Sequence, residues 1–279
     1  MWPNKKKTLI MGILNITPDS FSDGGSYQNL EEIVARAKQM VEDGADIIDV
    51  GGESTRPGSV IVDVEEELAR VIPVIKKLVK EVNVPISIDT YKAEVARKAV
   101  EAGAMIINDI GGAKFDPLMP EVMAKSGAYV VLMHNRKPDL TQTDCITATS
   151  GELTEYDDIV DKVREELKES IDLVKAAGVT DDKIIIDPGI GFAKTVDKNI
   201  ELMQRVSELH DLGYPILLGV SKKGSIGYLL GGLDVSNRAE GTMAATCFAV
   251  SQEIEIVRVH DVLENARAAK VMESLLNYV

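Results

Sequence analysis

Residues 42–49 read Glu-Asp-Gly-Ala-Asp-Ile-Ile-Asp. The phrase returns as Glu-Ala-Gly-Ala-Met-Ile-Ile-Asn at 101–108 and as Lys-Ser-Gly-Ala-Tyr-Val-Val-Leu at 125–132. In each copy an amphipathic stretch ends, a glycine follows, and a short apolar run begins. A glycine directly behind a helix takes the left-handed turn that closes it. An apolar run without alternation belongs to a strand buried on both faces, as in a parallel sheet. The phrase is therefore helix, turn, strand, three times over. Five further runs, at 8–14, 86–88, 184–186, 216–220 and 254–259, join those at 47–50, 105–107 and 129–133. Helical spacing fills the gaps at 30–43, 64–81, 93–102, 118–126, 153–177, 200–212, 239–251 and 261–277.

Eight strand–helix units fit one closed (β/α)8 barrel spanning residues 1–279, of the TIM type. An open, doubly wound sheet is the alternative, but it usually uses fewer strands per domain. No Pro/Ser-rich linker or composition break divides the 279 residues. With 45% hydrophobic and 27% charged residues the chain can fill a core and stay in solution. A net charge of −14 argues against nucleic acid as a partner, so any anionic ligand needs a local basic cluster. No apolar run approaches the ~20 residues of a membrane span. Cys145 and Cys247 stand far apart in no metal-ligand spacing, which points to a reducing, cytoplasmic setting.

A barrel of this kind places its site where the strands end. All eight runs end in ionisable or amide residues: Asn15, Asp49, Asp89, Asn108 with Asp109, His134, Asp187, Ser221 to Lys223, and Arg258 with His260. Each has a plainer reading. Asp89 and Asp109 could cap the next helix, His134 could sit in the core, and Lys222 and Lys223 could form a solvated pair. His210 reads as a surface residue. Arg258 and His260, two apart on a strand, face one side together. They lie at the corner where such barrels often hold phosphate. The segments after strands 1 and 2, with Phe21 and Asp23 and with Thr55, Arg56 and Pro57, exceed the ~2–6 residues of an ordinary connection. They read as two lids over one mouth. The sequence carries no dinucleotide fingerprint, Cys/His zinc spacing, nucleophile elbow or Ser-His-Asp order.

Several phrases go further. The chain reads MGILNITPDSFSDGG at 11–25, DIIDVGGESTRPG at 46–58, PISIDTYKAEVARKAVEAGAMIINDIGG at 85–112 and IIIDPGIGFAKT at 184–195. LLGVSKKGSIG follows at 217–227 and VRVHDV at 257–262. In these, and in their order, it resembles the dihydropteroate synthase family of pterin-binding enzymes. The resemblance implies joining of 6-hydroxymethyl-7,8-dihydropterin pyrophosphate to 4-aminobenzoate on a (β/α)8 barrel, with Mg²⁺ as cofactor and a homodimer as assembly. It implies that Asp89, Asn108, Met133, Asp187, Phe192 and Lys223 hold the pterin. Asn15 would bind Mg²⁺ and, with Arg258 and His260, the pyrophosphate. Phe21, Thr55, Arg56, Pro57 and Ser221 would form the aminobenzoate pocket. Asp89, Lys223, Asp23 and Arg56 would carry the catalysis.

The chain departs from the family pattern after strand 7, where Ser-Arg-Lys-Ser becomes Ser221-Lys222-Lys223-Gly224. The loss of that serine hydroxyl bears on aminobenzoate anchoring, and Lys222 gives up a bidentate fork. After strand 5 the usual Met-His-Met-x-Gly becomes Met133-His134-Asn135-Arg136-Lys137. Two competing readings are a methyltransferase using a reduced pterin and a pterin-binding paralogue without turnover.

Overall fold

The computed structural model describes residues 7–16, 27–54, 61–136 and 154–277. Eight parallel strands run β1 (Leu9–Asn15), β2 (Ile47–Gly51), β3 (Ile86–Asp89), β4 (Ile106–Asp109), β5 (Tyr129–Met133), β6 (Ile184–Asp187), β7 (Leu217–Leu218) and β8 (Ile256–Val259). Each pairs with its sequence neighbour, and β1 pairs with β8. An isolated bridge, Ile186 to Ile216, brings β7 back to β6 and closes the ring. The expected barrel is therefore the observed one, and the open doubly wound sheet is excluded.

The helices between strands are α1 (Tyr27–Glu42), α2 (Val64–Glu81), α3 (Ala93–Glu101), α4 (Met119–Ser126) and α5 (Ile159–Ala177). They continue with α6 (Val196–Gln204), α7 (Gly224–Leu229), α8 (Ala239–Ser251) and α9 (Val262–Leu276). Local chemistry sets their ends. Asp63 caps α2 by accepting the Glu66 N–H at 2.8 Å. Asp158 caps α5 through the N–H groups of Val160 and Asp161. That cap makes α5 begin at 159 rather than the expected 153. The expected helix 200–212 is broken: α6 stops at Gln204 and Val206–Leu212 winds as a tighter 3₁₀ turn. Gly44, Gly103, Gly127, Gly178 and Gly213, each directly behind a helical stretch, all take positive φ, between +65° and +114°. Apolar faces of helices and strands meet in one continuous shell around the ring.

Candidate active site

Strand periodicity builds the site. Met11, Ile47, Ile106, Val131, Ile185, Leu217 and Ile256 form a separate apolar cluster, one residue from each of seven strands. This is the plug inside the barrel. Two residues further along, a strand presents the same face again. There the chain switches to Asp49, Asn108, Met133, Asp187 and Arg258. Above this layer opens a cavity of about 540 Å³, within the ~300–1,000 Å³ usual for small-molecule sites. All ten described residues expected at the site line it: Asn15, Asp89, Asn108, Met133, Asp187, Phe192, Ser221, Lys223, Arg258 and His260. Phe21, Asp23, Thr55, Arg56 and Pro57 lie outside the described residues.

The plainer readings of several residues do not hold. Asp89 caps no helix; its Oδ2 accepts Arg258 Nη2 at 2.5 Å. The same guanidinium donates through Nε to Asp49 Oδ2 at 2.6 Å, and Asn108 Nδ2 donates to that oxygen at 3.1 Å. Arg258 thus ties two buried carboxylates together at the cavity floor. Lys223 is no surface lysine: its Nζ stands 4.2 Å from the Phe192 ring centroid. Asp187 accepts the Gly189 N–H at 2.7 Å through Oδ1. Asp109, by contrast, is structural and holds the N–H groups of Gly111 and Ala113.

Burial shifts the charges in this floor. It pushes the Asp89 carboxyl up to about 7; Arg258 opposes, while Asp49 and Glu67 add to the rise. Burial also pushes Asp187 up to about 6, against the Gly189 N–H and Lys223. Burial draws Lys223 down to about 8, with Arg258 adding and the two carboxylates opposing. The pocket therefore sets acceptors and donors of near-neutral pKa around a narrow space, a pattern common at functional sites. A flat heterocycle with adjacent N–H groups and ring acceptors matches it.

The rim is pinned from behind. Ser221 Oγ lies 2.9 Å from His260 Nδ1 and accepts the His260 N–H at 3.1 Å. Lys222 takes φ +56° and sends Nζ to Asp261 at 2.8 Å. Arg238 Nη1 donates to the Lys222 and Lys223 carbonyls. Glu53 accepts from Tyr91 Oη at 3.1 Å and from the Val62 N–H at 3.2 Å, and pairs with Lys92. It therefore joins the chain on either side of the segment 55–60. Arg238 was not singled out from the sequence, and Asp49 and Glu53 were seen only among the many polar residues at or just after strand ends. Nothing in their local spacing reveals what they hold. His134 is absent from the cavity lining and lies in the core. His210 pairs at 3.3 Å with Glu255, away from the site.

Among the described residues no group of three or more His, Cys, Asp or Glu side chains converges on a metal site. Asn15 does offer a hard oxygen beside Asp89. A Cβ placed on Gly51 would sit 3.5 Å from Asn15 Oδ1 and 3.6 Å from Asp89 Oδ2. That donor set fits Mg²⁺, which commonly keeps water and takes oxygens from a bound phosphate.

The family model of pterin-binding enzymes matches residues 11–260. The chain belongs to the dihydropteroate synthase family of pterin-binding enzymes. Within that family it is 50% identical over 273 residues to the dihydropteroate synthase of Bacillus subtilis, covering 98% of this chain and 90% of that one. It is 49% identical to the enzyme of Clostridium beijerinckii, over 97% of this chain and 95% of that one. Among solved structures, a Clostridium difficile dihydropteroate synthase crystallised in the presence of pteroic acid superposes with a TM-score of 0.89. It is 48% identical, and 99% of each chain is covered. The Xanthomonas albilineans enzyme in complex with 7,8-dihydropteroate gives 0.85 at 38% identity, covering 99% of this chain and 97% of that one. Among the described residues no helix is long and apolar enough to cross a membrane.

Proposed function

We propose that the chain joins 6-hydroxymethyl-7,8-dihydropterin pyrophosphate to 4-aminobenzoate, releasing pyrophosphate and forming 7,8-dihydropteroate. The observation that carries this reading is the convergence of Asp89, Asn108, Asp187, Lys223 and Arg258 on one cavity, in a family member half identical to known synthases. Asp187 and Asn108 pair with the pterin edge, Lys223 donates to it, and Met133 and Phe192 lie against the ring. Arg258 and His260 face the pyrophosphate, and Asn15 would contribute an oxygen to a bound Mg²⁺. When bound, Mg²⁺ neutralises leaving-group charge. The carbon–oxygen bond to pyrophosphate breaks, and the electron-rich pterin takes up the positive charge left on its methylene. Asp89 stabilises that charge electrostatically. The aminobenzoate nitrogen then forms the carbon–nitrogen bond and gives up a proton. Ser221 and the segments bearing Phe21, Asp23, Thr55, Arg56 and Pro57 are assigned to aminobenzoate and to excluding water, which would otherwise intercept the cation.

The chain is further proposed to act as a cytoplasmic homodimer. Tyr228, Leu229, Leu230, Leu233, Val235 and Phe248 expose a cluster of large apolar side chains on and around α7 and α8, and such patches mark contact surfaces. Sedimentation as a monomer at micromolar concentration would reject the dimer.

The function is tested by following pyrophosphate release and dihydropteroate formation with Mg²⁺, with and without 4-aminobenzoate. Stoichiometric, aminobenzoate-dependent product is expected. Tight pterin binding without product would assign a binder instead, and Lys222 and Gly224 would be examined first. Asp187→Ala is expected to abolish pterin binding in an isothermal titration; unchanged affinity would reject the assigned pterin orientation.

A further inference from the structure

At the wall of the cavity lies a second polar cluster, centred on Lys194, to which the proposed reaction gives no role. Lys194 is 2% exposed, one of the largest buried side chains in the chain. Its Nζ lies 2.7 Å from His134 Nδ1 and 3.0 Å from the carbonyl oxygens of both Gly189 and Phe192. His134 Nε2 stands 2.9 Å from Glu166 Oε2, and Glu166 is held in turn by Arg136. Geometry and burial together set the protons. Two of the three groups around Nζ are carbonyls, which only accept. His134 presents a proton to the Glu166 carboxylate on Nε2, and burial, with Lys194 adding, draws its pKa down to about 3, so the ring is neutral and Nδ1 accepts. Lys194 therefore donates three hydrogen bonds as an ammonium, and His134 is neutral. Burial draws Lys194 down to about 7, while Asp187 and Glu166 act in the opposite sense.

The two carbonyls are not arbitrary. Both belong to the turn that follows β6, between Asp187, the last residue of the strand, and Ala193. This turn carries three positive φ values within five residues: Gly189 at +68°, Gly191 at +85° and the non-glycine Ala193 at +47°. Such backbone persists only where its surroundings over-determine it. Further ties include Tyr156 Oη to the Ala193 carbonyl at 2.7 Å and the Gly191 N–H to Asn199 Oδ1 at 2.6 Å. A methionine would fill the same volume without bringing a charge indoors, so packing alone does not explain a lysine here.

We propose that Lys194 is a positioning residue for the pterin: its ammonium, anchored on His134, clamps the Gly189 and Phe192 carbonyls and so sets Asp187 and Phe192 against the ring. This rests on the reading of the cavity as a pterin site. Lys194 reaches the cavity wall, but its Nζ is taken up by His134 and the two carbonyls, so it acts through the turn.

The test compares wild type with Lys194→Met, measuring KM for both substrates, kcat, and pterin affinity by calorimetry. The expected result is at least a tenfold rise in pterin dissociation constant and in KM for the pterin pyrophosphate. KM for 4-aminobenzoate should change by less than twofold. Equal changes in both KM values, or none, would overturn the proposal, since a merely structural lysine has no reason to favour one substrate. If Lys194→Met does not fold, His134→Leu and His134→Gln replace it. The glutamine can accept from Lys194 and donate to Glu166, so a pterin-selective loss in the leucine variant should be restored in the glutamine variant. Equal behaviour of the two would refute the clamp. Wild-type protein that fails to bind pterin removes the functional reading and this inference together. Wild-type binding that the variants match removes the inference alone.

Discussion

Arg258→Met puts the cavity floor to its most direct test. The wild-type guanidinium bridges Asp49, whose side chain is wholly buried, and Asp89, whose side chain is 13% exposed. Methionine fills much of the space and leaves both carboxyls without their cation. Removing one partner of a buried ion pair typically costs ~3–5 kcal/mol. For a chain of this size that is a fall in Tm of roughly 6–20 °C. The penalty must also depend on pH. Burial already holds the Asp89 carboxyl at about 7 in the folded protein, well above the ordinary carboxylate range. A carboxyl raised by folding contributes most stability below its unfolded pKa and loses that contribution as pH rises through the folded one. Losing Arg258 removes the largest opposing influence, so the folded pKa climbs further. Each added unit costs the variant ~1.4 kcal/mol at high pH. Urea unfolding at about pH 5.5 and about pH 8 reads both effects through the extrapolated free energies. The expected loss is larger at the higher pH. A loss under ~1 kcal/mol at pH 8, or one that grows on acidification, would refute a shared clamp on two buried carboxylates. Arg258→Lys, which keeps the charge but reaches only one partner well, should fall between.

Two further outcomes follow from the same geometry. Pterin affinity should rise as pH increases through about 6, where Asp187 becomes the acceptor, and fall above about 8, where Lys223 loses its proton; a flat titration curve would reject both roles, and Asp187→Asn should remove the acid limb. Gly189→Ala should cost at least ~3 kcal/mol in urea unfolding, because its Cβ would sit 1.9 Å from the His134 carbonyl oxygen. Gly213→Ala, also left-handed but with nothing within 4 Å, should cost only ~1–2 kcal/mol; equal losses would show that strain alone, not the close approach, governs position 189.

Much of the site was legible because strand periodicity and strand ends are written locally. Asp89, Asn108 and Asp187 each close an isoleucine-rich run, so their place at a barrel mouth follows from the fold alone. The helix α7 was not legible: it has six residues, two of them glycine, too few to display a helical period. Strand β7 is shorter than the expected 216–220: only Leu217–Leu218 pair as a strand, with Ile216 held by a single bridge to Ile186. Lys194 gave no sign of burial, since lysine is rarely buried and its partners come from residues as distant as 134. Asp158 was a missed signal of the ordinary kind, an acidic cap immediately before an apolar-periodic stretch.

The closure of the barrel is uneven, and that unevenness falls beneath the chemistry. Along most of the ring neighbouring strands share four or five paired positions, but β7 meets β6 at the single Ile186–Ile216 bridge and meets β8 over two residues. Asp187 stands on one side of this seam, and Lys223 follows β7 on the other. Local opening requires the least rupture where the fewest backbone bonds cross. Deuterium should therefore enter the amides of 216–218 before those of β2 to β5. A pterin held by both Asp187 and Lys223 would act as a stitch across the gap, so binding should slow exchange along this one edge more than anywhere else in the ring.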